Sequence, residues 1–196
     1  RSLYLCLAAL FHDFGKPKAY SLDLKGIGLF HGHGEMSVNI ADVIMKRLKF
    51  SNATIDKTEL LIRFHDLPLV NIKTLKGILN KLGFVLTMDL FDLKKADIKG
   101  QNPVFIDRLK VIDRYIQIAK DIEKNKECYQ LKDLAINGND LIQAGYKPGK
   151  EIGNLLNEIL DKVEDNILKN DKAALVLYAA DKKKQSALLS PSIKAK

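Results

Sequence analysis

The chain has 196 residues and a mass of 22.0 kDa, enough for one ordinary domain, or for one domain and a smaller helical appendage. Its 46% hydrophobic and 29% charged residues exclude a disordered, collagen-like or disulfide-scaffold protein, and the longest apolar run, Leu3 to Phe11, falls well short of the roughly 20 residues of a membrane-spanning helix. The net charge of +8 raises a nucleic-acid reading, but it divides as +5 over residues 1–100, −1 over 101–180 and +4 over 181–196, and 27 of the 32 basic residues are Lys, which equally fits a solvated surface.

Apolar spacing is helical nearly everywhere and predicts an all-α chain. Ser2 to Phe14 is apolar all round, the pattern of a buried helix, and Gly15 and Pro17 supply its stop. Residues 18–34, with Gly26, Gly28, Gly32 and Gly34, read as a loop with room for a short hairpin. Ser37 is placed to cap a helix whose Val38, Ala41, Met45 and Leu48 form one face. Another helix is predicted from Thr54 to about His65, because Pro68 prevents continuation. Helices follow at 71–82, 87–99 and 103–125, ended by Gly83, by Gly100 with Pro103, and by Asn125. The character of the chain shifts at 126–130. Beyond it the pattern gives a short helix near 138–144, a turn from Gly145 to Gly149, a helix over 149–165 and a last helix over 170–184. The tail 185–196 carries scattered Lys and is expected to be mobile. Cys6 and Cys128 share no metal or redox spacing, and no signal-like start is present, so a reduced, cytoplasmic compartment is expected. An opening at Arg1 rather than Met suggests that a segment normally precedes it.

All four histidines, His12, His31, His33 and His65, fall in the first 65 residues, a clustering that metal ligation explains. His12-Asp13 sits where Gly15 ends a helix, so both side chains are free to converge on one ion. His65-Asp66 repeats the arrangement ahead of Pro68. Between them, His31-Gly32-His33 places two imidazoles on one side of an extended segment. Imidazoles and carboxylates without thiolates suit Zn, Mn, Fe, Co or Ni with open positions, and such an ion makes hydroxide available at neutral pH and polarises a phosphoryl oxygen. Lys16 is placed to hold a substrate phosphate as a point charge.

The run Leu7-Ala8-Ala9-Leu10-Phe11-His12-Asp13-Phe14-Gly15-Lys16-Pro17 resembles the signature of the HD superfamily of metal-dependent phosphohydrolases. Phe30-His31-Gly32-His33-Gly34-Glu35, Arg47-Leu48-Lys49-Phe50-Ser51-Asn52, Arg63-Phe64-His65-Asp66 and Lys95-Ala96-Asp97 are similar to the HD region of bacterial tRNA nucleotidyltransferases, the CCA-adding and poly(A) polymerase family. Gly138-Asn139-Asp140-Leu141-Ile142 and the run from Gly145 to Gly153 resemble that family's C-terminal helical region. The resemblance implies an HD-domain helical bundle over 1–125, a smaller C-terminal helical domain over 126–184 and a basic tail over 185–196. It also implies that His12, Asp13 and Asp97 bind a first metal and His33 and His65 a second, with Asp66 nearby and His31 structural. Asp13 and Lys16 become the catalytic candidates for 2′,3′-cyclic phosphodiesterase or phosphatase action on nucleotides or RNA ends. The implied cofactor is a divalent transition metal: Mn, Ni, Co, Fe or Zn. Mg belongs to the nucleotidyltransferase domain expected upstream in cis. Neither the Gly-Ser dipeptide nor the Asp-x-Asp pair of that domain occurs here, so nucleotide addition by these residues is not expected.

The superfamily's first metal ligand is a His ahead of the His-Asp pair, and no His precedes His12. That favours the alternative, a catalytically silent portion that binds tRNA and acts as scaffold. The turn at 145–153 stays open in the same way. Gly145 as a helix C′ residue and Pro148 in the first turn of the next helix would explain it by geometry alone. Lys147 and Lys150 at that helix start could instead accept an RNA phosphate. Tyr146 and Tyr178 are the nearby aromatics for base stacking. The +5 that accompanies the histidines fits an anionic ligand there better than the near-neutral 101–180 fits RNA.

Overall fold

The computed structural model describes residues 2–188, and helix dominates them, in keeping with the all-α expectation. The strands among the described residues are Ser21–Leu22 (β1) and Gly28–Leu29 (β2), an antiparallel pair with Ser21 opposite Leu29. The chain divides into two compact units, the first ending at Glu123 and the second beginning at Lys124.

In the first unit the opening helix, Leu3–Phe11 (α1), is amphipathic in position rather than in composition. Leu5, Ala8 and Phe11 are buried, whereas Leu3 and Leu10 are 55% and 57% exposed, so the expectation of a helix buried all round is corrected. Only one face finds partners, chiefly the helices Asn52–Phe64 (α4) and Ile72–Gly100 (α5), with the helix over residues 33–47 beside them. A short helix, Lys16–Ala19 (α2), follows with Pro17 in its first turn, where a missing N–H costs nothing.

The next helix, His33–Arg47 (α3), begins four residues before the expected cap at Ser37. Gly32, at φ +74°, turns the chain into it, and Ser37 is buried in the helix, where its hydroxyl accepts from the Gly15 N–H at 2.8 Å. Ser51 rather than Thr54 caps α4, accepting from the Thr54 N–H. The two helices expected at 71–82 and 87–99 form one run, α5, kinked at Gly83, whose φ of +72° and ψ of +167° no helix contains. Asn71 caps its start by accepting from the Thr74 N–H at 2.8 Å. The helix expected over 103–125 opens with a separate 3₁₀ turn, Pro103–Phe105, before Arg108–Lys124 (α6). Leu5, Phe11, Met45, Leu61, Ile62 and Leu90 centre the core that these helices share. Truncating one such leucine to alanine costs about 2–5 kcal/mol.

The second unit packs Gly138–Gln143 (α7), Lys150–Glu164 (α8) and Lys172–Leu188 (α9) around Leu141, Ile159 and Leu175. Its opening helix is fixed by a reciprocal capping box. Asn137 accepts from the Asn139 and Asp140 N–H groups, while Asp140 accepts from the Asn137 N–H at 2.8 Å. Gly145 is the left-handed C′ residue of α7, at φ +90°. Pro148 precedes the N-cap Gly149 instead of lying in the first turn of α8, a correction of one turn position. The last helix runs to Leu188, past the expected end at 184; the remainder of the tail, 189–196, lies outside the described residues.

Candidate metal centre

Three backbone exits bring the histidines together. His12 is the residue that ends α1, His33 opens α3 and His65 ends α4. In each ring Nδ1 faces the carbonyl three residues back: Ala9 at 3.0 Å, Phe30 at 2.9 Å and Ile62 at 2.6 Å. A carbonyl only accepts, so each Nδ1 carries a proton, and in the neutral ring Nε2 is the atom that presents a lone pair. Those lone pairs converge on Asp13. His12 Nε2 lies 3.4 Å from Asp13 Oδ2, and His33 and His65 Nε2 lie 3.5 and 3.8 Å from Asp13 Oδ1. His33 and His65 face each other Nε2 to Nε2 at 3.1 Å, a contact between two acceptors that only a shared proton or cation relieves.

Asp97, in the last turn of α5, completes a second side of the cluster, with Oδ1 3.6 Å from His12 Nε2. Two ligand groups result, Asp13 with His33 and His65, and His12 with Asp13 and Asp97, so Asp13 is common to both. The buried atoms His12 Nε2 and Asp13 Oδ1 have no hydrogen-bond partner among the described residues. Orphaned acceptors of this kind are expensive in an apolar surround, and the donor set of three imidazoles and two carboxylates fits a divalent transition ion. The Asp97 carboxylate holds His12 above the ordinary imidazole range against the opposing burial, and His12 in turn holds Asp97 below the ordinary carboxylate range. Burial pushes His65 the other way, down, and keeps it neutral.

Lys16 donates to Asp13 Oδ2 at 2.5 Å, with its ammonium 5.7 Å from the Phe30 ring centroid. Asp66 is exposed and belongs to neither ligand group. His31 is exposed too. The left-handed Gly32 sends it away from His33, so the expected pair of imidazoles on one side of an extended segment does not form. In the second unit Lys147 and Lys150 are exposed at the start of α8, beside an N-terminus that no side chain caps. Both nearby tyrosines are occupied instead of being free for stacking. Tyr146 is buried and donates to the Ala179 carbonyl at 2.8 Å, and Tyr178 donates to Glu158.

Sequence reasoning missed three supporting residues. Gln101, the C-cap of α5, donates to Asp97 Oδ2 at 2.8 Å, and its place four residues after Asp97 is the signal the sequence offers. Lys94 donates to the carbonyls of His65 and Leu67, and burial pushes its ammonium down to about 8; nothing in the spacing points to it. Gly15 does more than stop a helix, and its φ of −78° is ordinary. It is small because a Cβ there would lie 2.2 Å from the His33 carbonyl oxygen and 2.8 Å from the Ser37 nitrogen.

Among the described residues no helix is long and apolar enough to cross a membrane. Residues 31–179 match the family described as tRNA nucleotidyltransferase domain 2, a stretch that holds His33, His65 and Asp97 but not His12 and Asp13. The chain is similar to a CC-adding tRNA nucleotidyltransferase of Thermus thermophilus, 28% identical over 177 residues that cover 88% of this chain and 39% of that protein. It is also similar to a CCA-adding enzyme of Lactobacillus helveticus, 35% identical over 138 residues, 70% of this chain and 31% of that protein. Over 64 residues it is 34% identical to an A-adding tRNA nucleotidyltransferase of Deinococcus radiodurans. The chain therefore spans well under half the length of these relatives. No solved structure matches it significantly.

Proposed function

The chain belongs to the tRNA nucleotidyltransferase family, and from that premise we propose that its first unit is an HD-type, metal-dependent phosphohydrolase that acts as a 2′,3′-cyclic phosphodiesterase or phosphatase on nucleotides or RNA ends. The observation that carries this reading is the convergence of three imidazole Nε2 atoms on Asp13. His12, Asp13 and Asp97 would hold one ion and His33 and His65, with Asp13, a second. Mn, Ni, Co, Fe or Zn bound there supplies Lewis acidity toward a phosphoryl oxygen and a supply of hydroxide at neutral pH. The protein's own groups do the rest. The Nδ1–H bonds to Ala9, Phe30 and Ile62 hold the rings in one tautomer, Gln101 orients Asp97, and Lys16 moves from Asp13 to neutralise a substrate phosphate.

The second unit, on the same reading, contacts the body of a tRNA through Lys147 and Lys150, by charge rather than by base stacking. A nucleotidyltransferase domain in cis, with its own Mg, and a cytoplasmic setting complete the proposal. Purified protein assayed on nucleoside 2′,3′-cyclic phosphates with Mn, Ni, Co, Fe and Zn, beside Asp13→Ala, tests the site. Metal-dependent turnover that Asp13→Ala abolishes supports it. Turnover that the variant retains sinks it. No turnover, together with tRNA binding that survives chelation and weakens with salt, replaces it by the silent scaffold.

A further inference from the structure

A cavity of about 320 Å³ opens beside the Asp13 cluster, where the exit of α4, the end of α5 and the start of α6 meet. His65 and Asp97 line it, and each also belongs to one of the two ligand groups, so whatever fills the cavity abuts a phosphate drawn to the cluster. Ligand cavities run from about 300 to 1,000 Å³, which gives this one room for a single nucleoside and no more. One wall is aliphatic, with Leu67, Ile98 and Val111, a surface for the flat face of a base. Gln101 lines it with an amide that has an acceptor and a second N–H beyond its bond to Asp97. Arg108 lines it too, with its guanidinium 4.2 Å from the Phe105 ring centroid. The cation is held over the ring, and among the described residues Arg108 has no carboxylate partner, so its N–H donors are available to an anion.

We propose that this cavity is a nucleoside subsite: it takes the sugar and base of a nucleotide whose one phosphate sits at the Asp13 cluster, while Arg108 binds a second phosphate on the same nucleoside. The inference rests on the phosphohydrolase reading above and names its ligand class, a nucleoside bisphosphate. Nothing in the cavity reads base identity beyond the Gln101 amide, so the subsite selects for a nucleoside over bare phosphate rather than for one base.

Binding can be separated from turnover by calorimetric titration of the Mn-loaded 196-residue chain with inorganic phosphate, adenosine 3′-monophosphate and adenosine 3′,5′-bisphosphate. The monophosphate should bind about tenfold more tightly than inorganic phosphate, and the bisphosphate about tenfold more tightly again. Val111 is 48% exposed, so Val111→Trp fills the cavity without opening the core, and it should bring all three affinities together. Arg108→Ala should remove only the bisphosphate advantage, and Arg108→Lys should restore part of it. Nucleotides that bind no more tightly than phosphate, or a Val111→Trp chain that keeps the preference, overturn the subsite while phosphate binding persists. A bisphosphate advantage that survives Arg108→Ala overturns the second-phosphate contact. If inorganic phosphate shows no Mn-dependent binding, the phosphohydrolase reading falls and takes the subsite with it, an outcome distinct from the others.

Discussion

Gly15 is where the turn that carries His12 and Asp13 meets the first turn of α3. The Gly15 N–H bonds to Ser37, and its α-carbon lies so close to the His33 carbonyl that any side chain must push the two segments apart. Gly15→Ala should therefore destabilise the first unit by about 1–3 kcal/mol, the range of an overpacked site, read as a shift of the urea midpoint at unchanged slope. The same displacement would move Asp13 off His33 and His65 and weaken metal binding. Gln101 acts more gently. Replacing it by Leu leaves Asp97 free to turn away from His12, and Mn affinity should drop by about 10- to 100-fold with the melting temperature of the metal-free chain nearly unchanged. An affinity equal to that of the unaltered chain would remove Gln101 from the supporting residues.

Among the elements, α5 does the most positioning. Its kink at Gly83 redirects the helix between Leu75, Ile78 and Leu79 on one side and Leu86, Leu90 and Leu93 on the other, all buried, and the Thr87 hydroxyl donates to the Gly83 carbonyl at 2.7 Å. A Cβ at Gly83 would meet nothing within 4 Å, so the requirement for glycine is the positive φ alone. Gly83→Ala should then cost about 1–3 kcal/mol of stability by denaturant titration, the strain of an alanine held in a backbone region that is essentially confined to glycine, without loss of packing. At its far end α5 delivers Asp97 to His12 and Lys94 to the carbonyls of His65 and Leu67, at and just past the C-cap of α4. The exit of α4 is thus fastened by a cation at a helix C-terminus, where the dipole favours it.

At the scale of the whole molecule the two units should answer to different variables. A metal present at 100 times its dissociation constant adds about 2.7 kcal/mol to the state that binds it, so calorimetry with and without chelator should move the first unit's transition and leave the second's in place. The second unit should respond to pH. Burial, with Glu158 behind it, pushes the Tyr178 hydroxyl up to about 12, so its contribution is complete below the ordinary tyrosine value near 10 and is lost as pH rises through about 12. Lys182 first and Tyr178 second hold Glu158 below the ordinary carboxylate range, so that contribution is present above the ordinary range and lost as pH falls through the lowered value. Tyr178→Phe should flatten the alkaline loss in a pH series of thermal midpoints.

Periodicity and caps are local properties, and the sequence alone determined what depends on them: an all-α chain, the approximate helices, and the crowding of histidines beside helix ends. The start expected at Thr54 lies two residues late, because Ser51 offers the same hydroxyl oxygen to the Thr54 N–H and only the turn geometry selects it as the cap. Burial of α1 on one face only, the spent tyrosines, the close approach at Gly15 and the convergence of three Nε2 atoms on Asp13 belong to the tertiary structure alone. Residues 12, 33, 65 and 97 lie far apart along the chain, and the distances between them are set by how helices pack rather than by any spacing that a sequence can display.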